Sequence, residues 1–251
     1  MTSVAETYLV FTFLIFCRIG GCLMLMPGIS SPRVPLQIRL FISITVALVL
    51  APLLFSQMPT GFKDYSFLKI AELIAAELGL GIMIGLIGRV FFLALQFLAT
   101  GISNFVGVGT MAAPAIEENE PAPIIANFIT LMAVILLFAA DLHLEFIQAL
   151  MESYVALPIT QVFLAEYSLG RIQATLTTAT ILALQISAPF IIFSIIINFT
   201  FGLVNKLTPQ IPVYFISLPF VICGGLFVLY FTLHDFLLIF IQSFSAWLAH
   251  G

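Results

Sequence analysis

Apolar residues in this chain come in long continuous runs, not in alternating or heptad patterns. Residues 172–205 carry no charged side chain, Lys206 follows, and the next charge is Asp235. A helix rises about 1.5 Å per residue, so roughly 20 apolar residues cross a bilayer core. Both runs are long enough. Upstream, further apolar runs cover residues 7–29, 40–55, 67–97 and 124–140. The first is interrupted by Arg18 and ends at Pro27-Gly28, a strong breaker pair. The last two turn at LTPQIP, and an apolar tail continues to Trp247. The pattern predicts five or six long helices plus amphipathic pieces. Lipid admits only helices or closed barrels, and these runs are too continuous for the alternating strands of a barrel. The fold class is therefore an all-α integral membrane protein.

The breaks between runs differ in character. Residues 57–66 (QMPTGFKDYS) read as a polar loop, and residues 141–171 as a mixed polar stretch. Residues 99–123 are rich in Gly, Ala and Pro and carry the acidic EENE at 117–120. Within them, Pro114, Pro121 and Pro123 forbid a continuous helix over 105–123. This loop of small residues is either an external linker or a re-entrant segment that lines or closes a passage. Non-helical backbone at membrane depth survives only beside protein or a water-filled cavity. Pro27, Pro52, Pro158, Pro189, Pro209, Pro212 and Pro219 lie in or beside apolar runs. Each removes an amide donor and bends or stops a helix. Ordinary membrane-helix kinks are one reading; bent helices sheltered against other chains are the other.

Composition agrees with a membrane location. Hydrophobic residues make up 62% and charged residues 8%, against about 45–50% and about 25% in soluble domains. The 26 Phe suit lipid contact or packing between subunits. A net charge of −4 with no basic patch argues against nucleic acid. Cys17, Cys22 and Cys223 form no CxxC pair and offer no metal or disulfide spacing. Glu6 stands where a cleavable signal would carry Lys or Arg, so the first run is expected to stay as a helix. The eight Lys and Arg are spread over nearly every loop, and the positive-inside rule gives no orientation.

Candidate chemistry is sparse. No nucleotide-binding loop, HExxH or GxSxG motif occurs, and no cofactor is implied. Asp141, His143 and Glu145 form the only cluster an intramembrane enzyme would use. On a helix, 141 and 145 share a face while 143 points away. Glu72, Glu77 and Arg89 are the charges embedded in the third run. An ionised group at bilayer centre costs about 2.5–3.5 kcal/mol on insertion scales, and such residues often mark ion paths. They carry the alternative reading of an ion or small-molecule transporter. Among them stand Gly79, Gly81, Gly85 and Gly88, and Gly81-xxx-Gly85 is the small-residue spacing that lets helices approach closely.

The C-terminal stretch NFTFGLVNKLTPQIPVYFISLPFVICGGL (198–226) resembles the FliR/SctT family of type III secretion export-gate subunits. The matching series is Asn198, Gly202, Lys206, Pro209, Gln210, Phe215, Pro219 and Gly225. Lys206 stands where that family usually has Arg, and Pro212 where Asn usually follows Pro-Gln. Arg18, Pro27, Gly28, Pro35 and Arg39 are similar to the family's N-terminal basic-Pro-Gly pattern. DLHLEFIQALMESYVALP (141–158), with His143, Ser153 and Pro158, resembles its His-containing segment.

The resemblance implies a non-enzymatic subunit of the flagellar export gate in the bacterial inner membrane, within the flagellar basal body. A P-like helical portion would cover 1–171 and a Q-like helical hairpin 172–251. Implied partners are P-type and Q-type gate subunits, a FlhB-type switch subunit, unfolded flagellar export substrates and membrane lipid, with no nucleic acid. The loop at 107–121 would be a plug, through Gly107, Gly109, Met111, Pro114, Glu117 and Pro121. Arg18, Gly81, Gly85, Arg89, Lys206, Pro209, Gln210, Pro219 and Gly225 would serve packing between subunits.

Overall fold

The computed structural model describes residues 2–55, 66–113, 121–159, 165–210 and 212–250. Its elements are almost all helical: α1 (Thr2–Leu23), α2 (Leu36–Leu54), α3 (Phe67–Phe105), α4 (Ile124–Ala139), α5 (Leu142–Ala156), α6 (Ala165–Leu207) and α7 (Val213–His250). A two-residue ribbon, β1 (Ala112–Ala113) and β2 (Ala122–Pro123), is the only sheet among the described residues. Among the described residues, five helices are long and apolar enough to span a membrane, or six if α4 and α5 together make one span. That is the number the apolar runs predict.

Helix boundaries follow local chemistry. α1 ends before Pro27-Gly28, and Pro158, Pro209 and Pro212 lie outside helices. Pro52, Pro189 and Pro219 instead sit inside α2, α6 and α7. α3 runs to Phe105, where the loop of small residues read from the sequence begins. The Thr100 and Ser103 hydroxyls donate to the carbonyls of Gln96 and Ala99 one turn back, at 2.8 and 2.7 Å, so these polar side chains are satisfied within the helix. The helix stops at Gly107, whose φ of 84° is left-handed. There the amide of Gly107 donates to Asn104 O and that of Val108 to Ser103 O, the paired bonds of a Schellman cap. α4 gives way to α5 across Asp141, at φ 56°; a short polar side chain tolerates that conformation better than most.

The chain folds as two compact units. The first comprises Met1–Val90 and His143–Thr175. Its core is built by Phe11, Leu14, Ile15, Ile19 and Cys22 of α1, Leu73 and Leu80 of α3, and Phe146, Leu150 and Tyr154 of α5. The α5 residues recur every four positions and so form one stripe. α2 joins through Ser43, Ala47, Leu50, Ala51 and Leu54, and Phe55 rings Tyr8 and Phe11.

The second unit comprises Phe91–Leu142 and Leu176–His250. Phe91 and Phe92 of α3 meet Phe244 and Phe240 of α7 edge-to-face, at 5.7 and 5.3 Å between ring centroids. This is the favoured aromatic geometry. Ile125, Ile129 and Ala133 of α4 are buried in the same unit. α6 and α7 run antiparallel as a hairpin: Phe201 pairs with Phe220, and the ring of Phe193 lies against Gly224.

Candidate functional site: a buried ion pair and the root of a loop

An arginine in the middle of an apolar helix must find partners. Arg18 does so completely inside its own unit. Its Nε donates to Glu77 Oε2 at 2.6 Å and its Nη2 to Glu77 Oε1 at 2.9 Å, a bidentate pair. Nη2 also donates to the Leu157 carbonyl at 3.0 Å, and Nη1 to Ser153 Oγ at 3.2 Å. The guanidinium lies 4.0 Å from the centroid of the Tyr154 ring. Tyr154 in turn donates its hydroxyl to Ile15 O, and Ser153 donates to Leu150 O. Both charged side chains are fully buried. Charge, fork geometry and ring stacking are the properties that distinguish Arg from Lys. α1, α3 and α5 are thereby tied together.

The glycines of α3 make this possible. Glu77, Gly81 and Gly85 are spaced by four and share one face of the helix. A Cβ on Gly81 would fall on the Arg18 carbonyl oxygen, and one on Gly85 would come 2.5 Å from the Cys22 carbonyl. From the other side, a Cβ on Gly21 would meet Leu78 O at 3.0 Å. Only glycine at these places lets the two backbones approach, as Gly81-xxx-Gly85 foreshadows.

The charges named in the sequence separate in space. Glu72 pairs with Lys69 at 2.9 Å on an exposed surface. Glu77 belongs to Arg18, 59 positions away. Arg89 is half-buried and makes no hydrogen bond or ion pair among the described residues. Glu72, Glu77 and Arg89 therefore do not line up as one path. His143 is half-buried, with Asp141 and Glu145 exposed. No group of three or more His, Cys, Asp or Glu among the described residues is placed to hold a metal.

In the second unit the loop of small residues has an ordered root. After the cap at Gly107, Met111 N donates to Val108 O and Ile124 N to Met111 O. Ala112 then pairs with Pro123 and Ala113 with Ala122, and Asn127 Nδ2 donates to Ala113 O at 3.3 Å. A Cβ on Gly109 would collide with the Asn104 amide. Met111 and Pro121 are exposed, and Gly107 and Gly109 half-buried. Pro114 and Glu117 lie outside the described residues.

Of the residues expected at subunit contacts, Arg89 is half-buried and the other eight divide in two. Arg18, Gly81, Gly85 and Gly225 are buried in contacts within the chain. Lys206, Pro209, Gln210 and Pro219 are exposed at the turn of the hairpin and the start of α7. Sequence reasoning missed the pairing of Arg18 with Glu77. The signal available was that Arg18 is the lone charge of the first apolar run and needs an acidic partner.

Residues 9–247 match the model of a family described as bacterial export proteins, family 1. The chain belongs to this family. Within it, the chain is similar to the flagellar biosynthetic protein FliR of Caulobacter vibrioides, at 30% identity over 222 residues, covering 88% of this chain and 87% of that protein. FliR of Aquifex aeolicus is 26% identical over 231 residues, covering 91% and 87%. FliR of Escherichia coli is 23% identical over 208 residues, covering 80% and 75%. The FliR resemblance carried by Asn198 to Gly225 is thus part of a match along nearly the whole chain. As an export-family protein with five membrane-length helices, it is a membrane protein of flagellar biogenesis.

Proposed function

We propose that this export-family protein is a core subunit of the flagellar type III export gate, in the inner membrane within the basal body. With P-type and Q-type subunits, and a FlhB-type switch subunit beside them, it lines the channel that passes unfolded flagellar proteins. Its action is conduit and closure, without catalysis. In this reading residues 1–171 are the P-like portion and 172–251 the Q-like hairpin. Residues 107–121 are the plug.

One observation carries the proposal. Gln173–Leu207 and Phe215–Leu248 are apolar over 35 and 34 residues, yet only 12% and 17% of an 18-residue apolar stretch in each is buried inside the chain. At about 1.5 Å per residue each is about 50 Å long, against a hydrocarbon core of about 30 Å. A tilt of about 40°, the upper end of the usual range, still leaves about 10 Å of apolar helix outside lipid. That surplus favours cover by other polypeptides. Glu6–Leu23, by contrast, is 56% buried by its own chain. The transporter reading loses its support, because Glu77 is spent on Arg18 and Glu72 on Lys69.

Co-expression with P-type and Q-type subunits, followed by purification in mild detergent, tests the assignment. A stable complex of the three is expected; a lone, stable chain that moves a solute in liposomes overturns it. Deleting residues 107–116 should leave the complex assembled and raise its ion conductance in bilayers. Wild-type conductance would remove the plug from the account.

A further inference from the structure

Asp235 interrupts the apolar length of α7. Its side chain is 79% exposed, and among the described residues its one polar contact is the ring of the adjacent His234, whose Nδ1 lies 3.1 Å from Oδ1. Its own unit offers it no cation. Residues 91–142 and 176–250, which make up that unit, contain a single Lys or Arg, Lys206. Lys206 stands before the hairpin turn, whereas Asp235 comes 22 positions after Val213, about 33 Å along α7.

The inner side of α7 is closed by its own chain: Gly225 rests against Val106, and Phe236, Phe240 and Phe244 are buried. The outer side is open. Phe227, Phe231, His234 and Leu238 recur every three or four positions and so share a face, and all four are exposed. Lipid alone does not suit this face. The apolar stretch from Phe215 to Leu248 places 20 residues before Asp235 and 13 after it, about 30 and about 20 Å of helix. A hydrocarbon core of about 30 Å that covers the first part leaves the exposed Leu238 and Ile239 beyond its edge. One that covers these two takes the carboxylate inside, where a charged group pairs with another. An apolar surface that carries one cation satisfies both.

We infer that Asp235 is a docking point for a Lys or Arg side chain on a helix of a neighbouring gate subunit, and that Phe227, Phe231 and Leu238 are the apolar ground on which that helix lies. This docking point rests on the gate reading above and names the chemistry of the contact. His234 flanks one carboxylate oxygen, and the incoming cation completes the carboxylate with a charge-assisted hydrogen bond. A desolvated pair of this kind fixes the register of one helix on another.

Asp235→Asn and Asp235→Lys, each co-expressed with P-type and Q-type subunits and purified in mild detergent, test this. The side chain takes little part in internal packing, so circular dichroism of the chain should be unchanged in both. Recovery of the complex should fall several-fold with Asp235→Asn and further with Asp235→Lys, where like charges meet. Asp in place of one partner Lys or Arg should restore recovery with Asp235→Lys, a reciprocal effect that general loss of helix stability would not give. If Asp235→Lys is recovered with its partners as fully as wild type, the carboxylate meets water or lipid headgroups; the docking point is then wrong and the gate reading stands. Loss without rescue by any partner substitution also overturns the docking point. If the wild-type chain captures no partner, the gate reading fails and the docking point with it. If Asp235→Lys does not accumulate, Asp235→Asn decides, and undiminished recovery overturns the docking point.

Discussion

Arg18 uses four of its five N–H donors on groups from α3, α5 and the residue following α5. A buried pair is poor evidence of net stability, since well-packed apolar residues often do as well. Breaking one costs about 3–5 kcal/mol because a charge is left behind. Glu77→Leu, or Arg18→Met, should therefore lower the thermal stability of the purified complex severely. The double variant Arg18→Met/Glu77→Leu should recover most of the loss. If each single variant melts like wild type, the pair does not tie these helices. Neither partner can be named from the sequence, because 59 positions and the whole of α2 intervene. What is legible there is only that two embedded, opposite charges need shelter.

At the scale of elements, the α1–α3 contact turns on which glycines face the neighbour. Gly81 touches the Arg18 backbone, whereas nothing lies within 4 Å of a Cβ on Gly79. Gly81→Ala should destabilise by about 1–3 kcal/mol through overpacking. Gly79→Ala should be neutral or stabilise slightly, as alanine favours a helix over glycine. Thermal melts of the two variants check the contrast; equal effects would mean that propensity, not close approach, decides. The four-residue spacing from 81 to 85 is visible in the sequence, but the partner helix is not. Helix ends were legible where proline or Gly107 stops them. The end of α3 at Phe105 coincides with the start of the loop of small residues read from the sequence.

The whole molecule presents an imbalance of cover. Phe199 of α6 and Phe227 of α7 are 67% and 65% exposed in the chain alone. Replacing either by Asp removes little internal packing; Phe227 loses its edge-to-face contact with Phe231 on the same helix. Helical content by circular dichroism should stay at the wild-type level, while recovery with P-type and Q-type subunits falls. Undiminished co-purification would show that the face meets only lipid. The exposed aromatics continue along α7 through Tyr230 and Phe231, at 78% and 61%. On a membrane protein a surface so apolar meets lipid or other polypeptides, and the co-purification test separates the two.

Fold class, span number and the hairpin turn were determined by the sequence alone, because hydrophobic length and proline placement act locally and are recorded in the continuous apolar runs and their breaks. Tertiary structure alone decided that Arg18 belongs to Glu77, that Gly225 faces Val106, and that Glu72, Glu77 and Arg89 stand apart. These depend on which helix faces which. In so uniformly apolar a chain, many faces are chemically alike, and the choice among them is made by the fit of small residues and by the need of each buried charge for a partner.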